Sequence, residues 1–295
     1  MSDPNNESRA PGSTADAIEG SAQQKHRSRW RRFSPSMGWP AFWSEILIVV
    51  LGVVIALAAN EAVEQWNWRN KVAEAETRLI GDITWVFLWS AEKSVSQPCV
   101  DAQLAAMARN VLESADTTTP MPVVTTLDRE QVVRMPMRPY RFPVWDALVA
   151  DGTASRFSTQ KQAFLGRLSD GMALALVHEV ETRRLGGLLL AMRDPITLDP
   201  VVRADLQAKI SSLRFVWQQE RLSARQHMRL IADAGNAPTD EVVESFLNVD
   251  GKHAVGADYS GISHYCRTNG LPLADWRDFR EISVNVASPG KGDAQ

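Results

Sequence analysis

The chain has 295 residues, a net charge of −3 and 44% hydrophobic residues, enough for one ordinary domain with a real core or for two small ones. With a pI near 6.0 it lacks the basic face or stripe of a nucleic-acid binder. Two cysteines exclude a disulfide-dense scaffold, and neither their number nor their spacing suits a zinc site or a CxxC redox pair.

Residues 1–40 open with a tract rich in Ser, Asn, Asp, Gly, Pro, Gln and Ala, which cannot offset the entropy of ordering and reads as a disordered cytoplasmic tail. Lys25, Arg27, Arg29, Arg31 and Arg32 then form a basic juxtamembrane patch suited to anionic headgroups. Ile46 to Ala59 is free of charge and apolar throughout. With the five residues before it the run reaches about 19 residues, near the ~20 that a helix needs to cross a bilayer core. A transmembrane helix over 41–62 is therefore expected. The arginines before it, with Glu61 and Glu64 after it, put the N-terminus in the cytoplasm and the rest outside, which in a Gram-negative cell is the periplasm. Trp39 and Trp43 at one end and Trp66 and Trp68 at the other fit two aromatic belts: from Trp43 to Trp66 a helix rises about 35 Å. A cleaved signal ending at Ala56-Leu57-Ala58 is the competing reading, and the long leader and Glu45 speak against it.

Beyond the span, Val72, Ala75, Leu79, Ile83 and Phe87 recur at helical steps, and Trp85 to Trp89 is apolar all round, which predicts burial. Pro98 ends or kinks this helix. A second helix over about Val100 to Ser114 carries Leu104, Met107 and Val111 on one face. Five prolines between Ala115 and Pro143 leave an irregular stretch, with Pro122 to Thr126 a short extended piece; such a long loop is either functional or mobile. Trp145 to Gly152 reads as a short helix with a glycine stop. Ser158 caps a long helix to about Met192, with Phe164, Leu168, Met172, Leu176, Val180 and Leu185 as core positions. Asp199 and Pro200 open another to about Ala234, with Val202, Leu206, Ile210, Leu213, Val216 and Trp217 on its face. A short helix over Asp240 to Leu247 precedes a Gly-rich segment holding Cys266 and Trp276; residues 286–295 read as a disordered tail. The expected fold is all-α: one N-terminal transmembrane helix continuing into an antiparallel helical bundle over 63–285.

Chemistry-bearing candidates are few. Glu45 is an ionisable residue in the span, where such groups are costly and commonly face a partner, a water path or, at this cytoplasmic end, Arg31 or Arg32. Asn60 is a second polar candidate in the span. Gly52, Ala56 and Ala59 share one side and permit close helix approach without a GxxxG. Cys99 and Cys266 permit one disulfide across about 167 residues or stand as two separate buried thiols. His178-Glu179 fails the zincin pattern because residue 182 is Thr; His253 and His264, near Asp258 and Cys266, read as part of a solvated loop rather than as metal ligands, and Glu179 to Arg184 as a solvated helix face with local ion pairs. No motif calls for a cofactor or a metal.

Two segments carry a resemblance. Ser44-Glu45-Ile46 through Gly52, Ile55-Ala56-Leu57, Asn60 and Trp66-Asn67 is similar to the start of a widespread family of bacterial single-span membrane proteins with a Gly-Glu-Ile opening, an apolar run with a central Gly and an Asn-Asn-Trp-Asn element. Trp145-Asp146-Ala147-Leu148 with Gly152 resembles its aromatic, Leu and glycine stop before a long helix. Here Ser44 replaces the usual Gly, and Glu61-Ala62-Val63 is inserted before the Trp. The resemblance implies architecture and gives weight to Glu45 and Asn60; it implies no activity. The function expected is thus that of a single-pass inner-membrane protein with a periplasmic binding, sensing or scaffold domain, whose partners are the lipid bilayer and another protein or a second copy, and not nucleic acid. Alternatives are an accessory subunit of an ion-coupled or transport complex using Glu45, and a membrane-anchored periplasmic hydrolase.

Overall fold

The computed structural model describes residues 39–126, 129–248 and 261–279. Within them lie seven α-helices and one small hairpin: α1 Trp39–Val95, α2 Gln97–Glu113, β1 Val124–Thr126, β2 Arg129–Gln131, α3 Pro143–Ala150, α4 Thr159–Leu189, α5 Pro200–Asp233, α6 Asp240–Leu247 and α7 Ile262–Thr268. The chain divides into two units, Met1–Glu61 and Ala62–Gln295, with the division inside α1. In the first unit the described residues are all α1, with its apolar side chains exposed. The second unit is a helical bundle.

Local signals explain the helix boundaries. Pro98 stands in the first turn of α2, where its missing N–H costs nothing, so α1 stops at Val95. The Ser158 hydroxyl accepts from the Lys161 N–H at the start of α4, and the Asp199 carboxylate accepts from Val201 and Val202 at the start of α5. Gly152, with φ 79°, takes the left-handed turn that ends α3.

The bundle has two apolar cores. Around one gather Leu79, Ile83 and Phe87 of α1, Trp145 of α3, Leu165, Leu168 and Met172 of α4, and Ile231 of α5. Around the other gather Leu104, Met107 and Val111 of α2, Leu185 and Leu189 of α4, Ile210, Leu213 and Trp217 of α5, and Cys266 of α7. The long helices α4 and α5 serve both. Cys99 and Cys266, each fully buried, form a disulfide that joins α2 to α7 with their Cα atoms 6.0 Å apart.

The stretch between α2 and α3 is held by side chains rather than by regular structure. β1 and β2 pair antiparallel, Val124 with Gln131 and Thr126 with Arg129. Gln103 of α2 accepts from the Arg134 N–H at 2.8 Å and donates to its carbonyl at 3.2 Å. Arg138 grips Glu92 through two bonds of 2.6 and 2.7 Å. Arg203 of α5 donates to the carbonyls of Val111, Ser114 and Ala115, a cation capping the C-terminal end of α2.

Besides Glu179, described below, three expectations need correction. Val180 is exposed rather than core. Equal steps of four from Phe164 precess about 40° per step at 3.6 residues per turn, whereas the buried stripe keeps its face by mixing steps: Met172, Ala175, Glu179, Thr182, Leu185. Trp85 is half exposed, lying against Trp89 and Phe246 off the buried face. His264 is on α7 and half-buried, not in a solvated loop, because the disulfide draws this short helix into the second core. His253 lies outside the described residues.

Candidate functional site

The membrane-directed candidates fall in three places. Arg29, Arg31 and Arg32 lie outside the described residues. Trp39, Trp43, Glu45 and Asn60 are exposed on α1 in the first unit. The apolar side chains beside them, from Phe42 to Leu57, are 38–68% exposed. Among the described residues α1 is the one helix long and apolar enough to cross a membrane. Trp66 is exposed and Trp68 half-buried in the second unit, where the cations of Lys71 and Arg156 sit 4.9 and 4.8 Å from the Trp68 ring.

The bundle holds a second polar feature that periodicity did not reveal. Lys93, two residues before the end of α1, donates to Glu179 of α4 at 3.0 Å and to Glu220 of α5, and all three side chains are at most 1% exposed. The Thr182 hydroxyl donates to Glu220 at 2.5 Å, Arg183 approaches Glu179 from the surface at 3.3 Å, and the Tyr140 ring lies 4.6 Å from the ammonium. Glu179 therefore departs from the expected solvated face. Its neighbours Glu181 and Arg184 keep to that expectation, paired on the surface at 2.6 and 2.7 Å. Position 179 falls on the buried stripe of α4, and only a cation arriving from α1, 86 residues away, makes a carboxylate tolerable there. A lone charge on a helical stripe otherwise free of charge was the signal available, masked by the charged residues that follow it.

Electrostatically the cluster is locked. Burial opposes the Lys93 charge, but Tyr140, Glu220 and Glu179 outweigh it and hold the pKa above that of an ordinary lysine. Burial raises Glu179, which Lys93 only partly offsets. Burial raises Tyr140, keeping the phenol protonated. Enclosed and held by two carboxylates, the lysine is a brace that joins α1 to α4 and α5. Seven residues beyond Glu220, about two turns along α5, His227 is buried, hydrogen-bonded to the Gly171 backbone, and lowered to about 4 by burial. Among the described residues no three His, Cys, Asp or Glu side chains are placed to hold a metal ion.

No family model, curated protein or solved structure matches this chain.

Proposed function

We propose that this is a single-pass inner-membrane protein, N-terminus in the cytoplasm, whose helical domain lies outside the cytoplasm and works by binding, as a sensor or scaffold for a protein partner or a second copy. The observation that carries the reading is the run of exposed apolar side chains from Phe42 to Leu57. Water would not tolerate so continuous a patch, whereas lipid is a good solvent for it. The disulfide adds support, since such bonds persist in oxidising compartments. So does the braced bundle, a rigid platform. The likeness of residues 44–67 to the single-span family agrees with the same topology.

Protease treatment of spheroplasts tests it. The domain should be digested from outside while an N-terminal tag survives; a protected domain would overturn the orientation, and recovery without detergent would overturn the anchor. Gentle detergent extraction followed by native mass spectrometry should then find a defined oligomer or a co-purifying subunit; a lone monomer would remove the protein-partner half. A second reading, a subunit of an ion-coupled complex, draws on the exposed Glu45 at the start of the apolar run. Glu45→Gln should abolish function on that reading and leave it intact on the first.

A further inference from the structure

At one end of the bundle two segments distant in the chain meet. Val72, Ala75 and Leu79 form the first turns of the α1 core stripe, and Trp68 stands one turn earlier on it. Two cations lie against its ring, Lys71 at 4.9 Å and Arg156, from the turn between α3 and α4, at 4.8 Å. Lys71 also pairs with Asp151 at 2.9 Å, which ties that turn to α1. In the same two segments Val63, Trp66 and Val149 are 60%, 66% and 54% exposed, and Arg69 shares the face of Trp66 on α1.

Chemistry, charge and reach all fit lipid headgroups as what this end meets. Indole rings favour the layer between hydrocarbon and water, and guanidinium groups clasp phosphate oxygens. Residues 62–71 and 149–157 carry Arg69, Lys71 and Arg156 against Glu64 and Asp151, a positive balance. Lys71 is taken by Asp151, whereas Arg69 and Arg156 have no carboxylate partner among the described residues. Trp66 follows Ala59, the last residue of the apolar run, by seven residues, so even a fully extended link carries it no farther than about 25 Å. Arg156 is the telling member. Any domain tethered to a span keeps its first residues near the bilayer, but only the fold brings Arg156 beside Trp68.

We propose that this end of the domain docks on the membrane surface, with Trp66 and Trp68 among the headgroups and Arg69 and Arg156 on the phosphates of anionic phospholipid. The proposal rests on the anchored reading above and adds a contact that turns a tethered domain into one of fixed orientation. Each arginine shifts the balance between docked and free domain by about fivefold, the worth of one basic residue at an anionic surface.

The test uses the full chain in nanodiscs of phosphatidylcholine, with and without phosphatidylglycerol. A nitroxide is attached at Val149→Cys, Val201→Cys or Val53→Cys, one site at a time; Cys99 and Cys266 are bonded to each other and stay unlabelled. Collisions with oxygen, enriched in lipid, and with a nickel chelate, confined to water, read the depth of each label. Val201 lies past the far end of α4, a helix of 31 residues or about 46 Å, and is the reference for water. The Val149 label should be screened from nickel and open to oxygen, as at headgroup depth, and more so with phosphatidylglycerol. Arg69→Gln with Arg156→Gln should move it toward the Val201 value and remove the phosphatidylglycerol effect. Should that variant fail to fold, the phosphatidylglycerol dependence of the unsubstituted arginines tests the same point. A Val149 label as open to nickel as the Val201 label would overturn the docked end; so would one closed to both reagents, which marks a protein contact. Equal depth with and without phosphatidylglycerol would overturn the role of the arginines. The Val53 label separates this proposal from the anchor. Val53 in lipid with Val149 in water leaves the anchor standing and sinks the docked end; Val53 in water with Val149 at headgroup depth does the reverse.

Discussion

At Gly171 the competition between helix propensity and packing is decided by one neighbour. A Cβ there would stand 2.5 Å from His227 Nε2, a contact that real side chains do not make. In an open helix Gly→Ala gains about 1 kcal/mol, but forcing atoms into a packed seam costs about 1–3 kcal/mol. Gly171→Ala is therefore expected to lower stability in urea unfolding, and to raise it when His227→Ala has already cleared the space. His227 also sets a pH dependence. Its folded pKa, about 4, lies below the ordinary 6.5, so between those values the unfolded chain binds more protons. Stability from this group is complete above about pH 6.5 and falls as pH drops toward 4, by roughly 2–3 kcal/mol at most. Glu179, raised by burial, works in the opposite sense, binding its proton more readily in the folded chain. Thermal melts of wild type minus His227→Gln isolate the histidine: the difference should shrink on acidification. A difference that stays constant from pH 7 to 4.5 would refute it.

At the level of elements, the brace at Lys93 decides which faces of α1, α4 and α5 meet. Replacing Lys93 by Met leaves Glu179 and Glu220 buried without their cation, an expected loss of about 3–5 kcal/mol. Converting all three together, Lys93→Met with Glu179→Leu and Glu220→Leu, should recover most of that loss, because the cluster's own desolvation cost disappears. Urea unfolding of the single and triple variants checks this; a triple variant as unstable as the single one would show that the charges supply net stability. The second device acts on the chain rather than on faces. The disulfide closes a loop between residues 167 apart, worth about 4–5 kcal/mol on the chain-entropy account. Reduction, or Cys99→Ala with Cys266→Ala, should loosen α7 first, since besides Cys266 that seven-residue helix buries only Ile262 and Ser263; amide exchange resolved by residue reads the order.

On the scale of the whole molecule, the two units ask for different solvents. The first has its apolar side chains exposed in a continuous run from Phe42 to Leu57, and the second buries two apolar cores, with exposed apolar side chains such as Phe215 and Val201 scattered over its surface. On the proposed anchored topology, the second unit expressed from Ala62 is expected to be soluble and to melt cooperatively without detergent, and the full chain is expected to need a detergent or a bilayer. Aggregation of the truncated chain would mean that residues before Ala62 are needed to cover the bundle.

What the sequence by itself determined is whatever depends on neighbours in the chain. The apolar run, the caps Ser158 and Asp199, the proline at the start of α2, the glycine stop after α3 and the α5 stripe through Leu206, Ile210, Leu213 and Trp217 all follow from steps of one to four residues. They were enough to set the all-α class and most helix limits. What only the tertiary structure decided is the pairing of groups far apart: Lys93 with Glu179 and Glu220, Arg138 with Glu92, Arg203 with the end of α2, and Cys99 with Cys266. A charge on a helix reads as solvated until the fold brings its counter-charge. Local periodicity places Glu179 on the buried stripe of α4 but carries no information about its partner, because that depends on which distant element burial brings alongside.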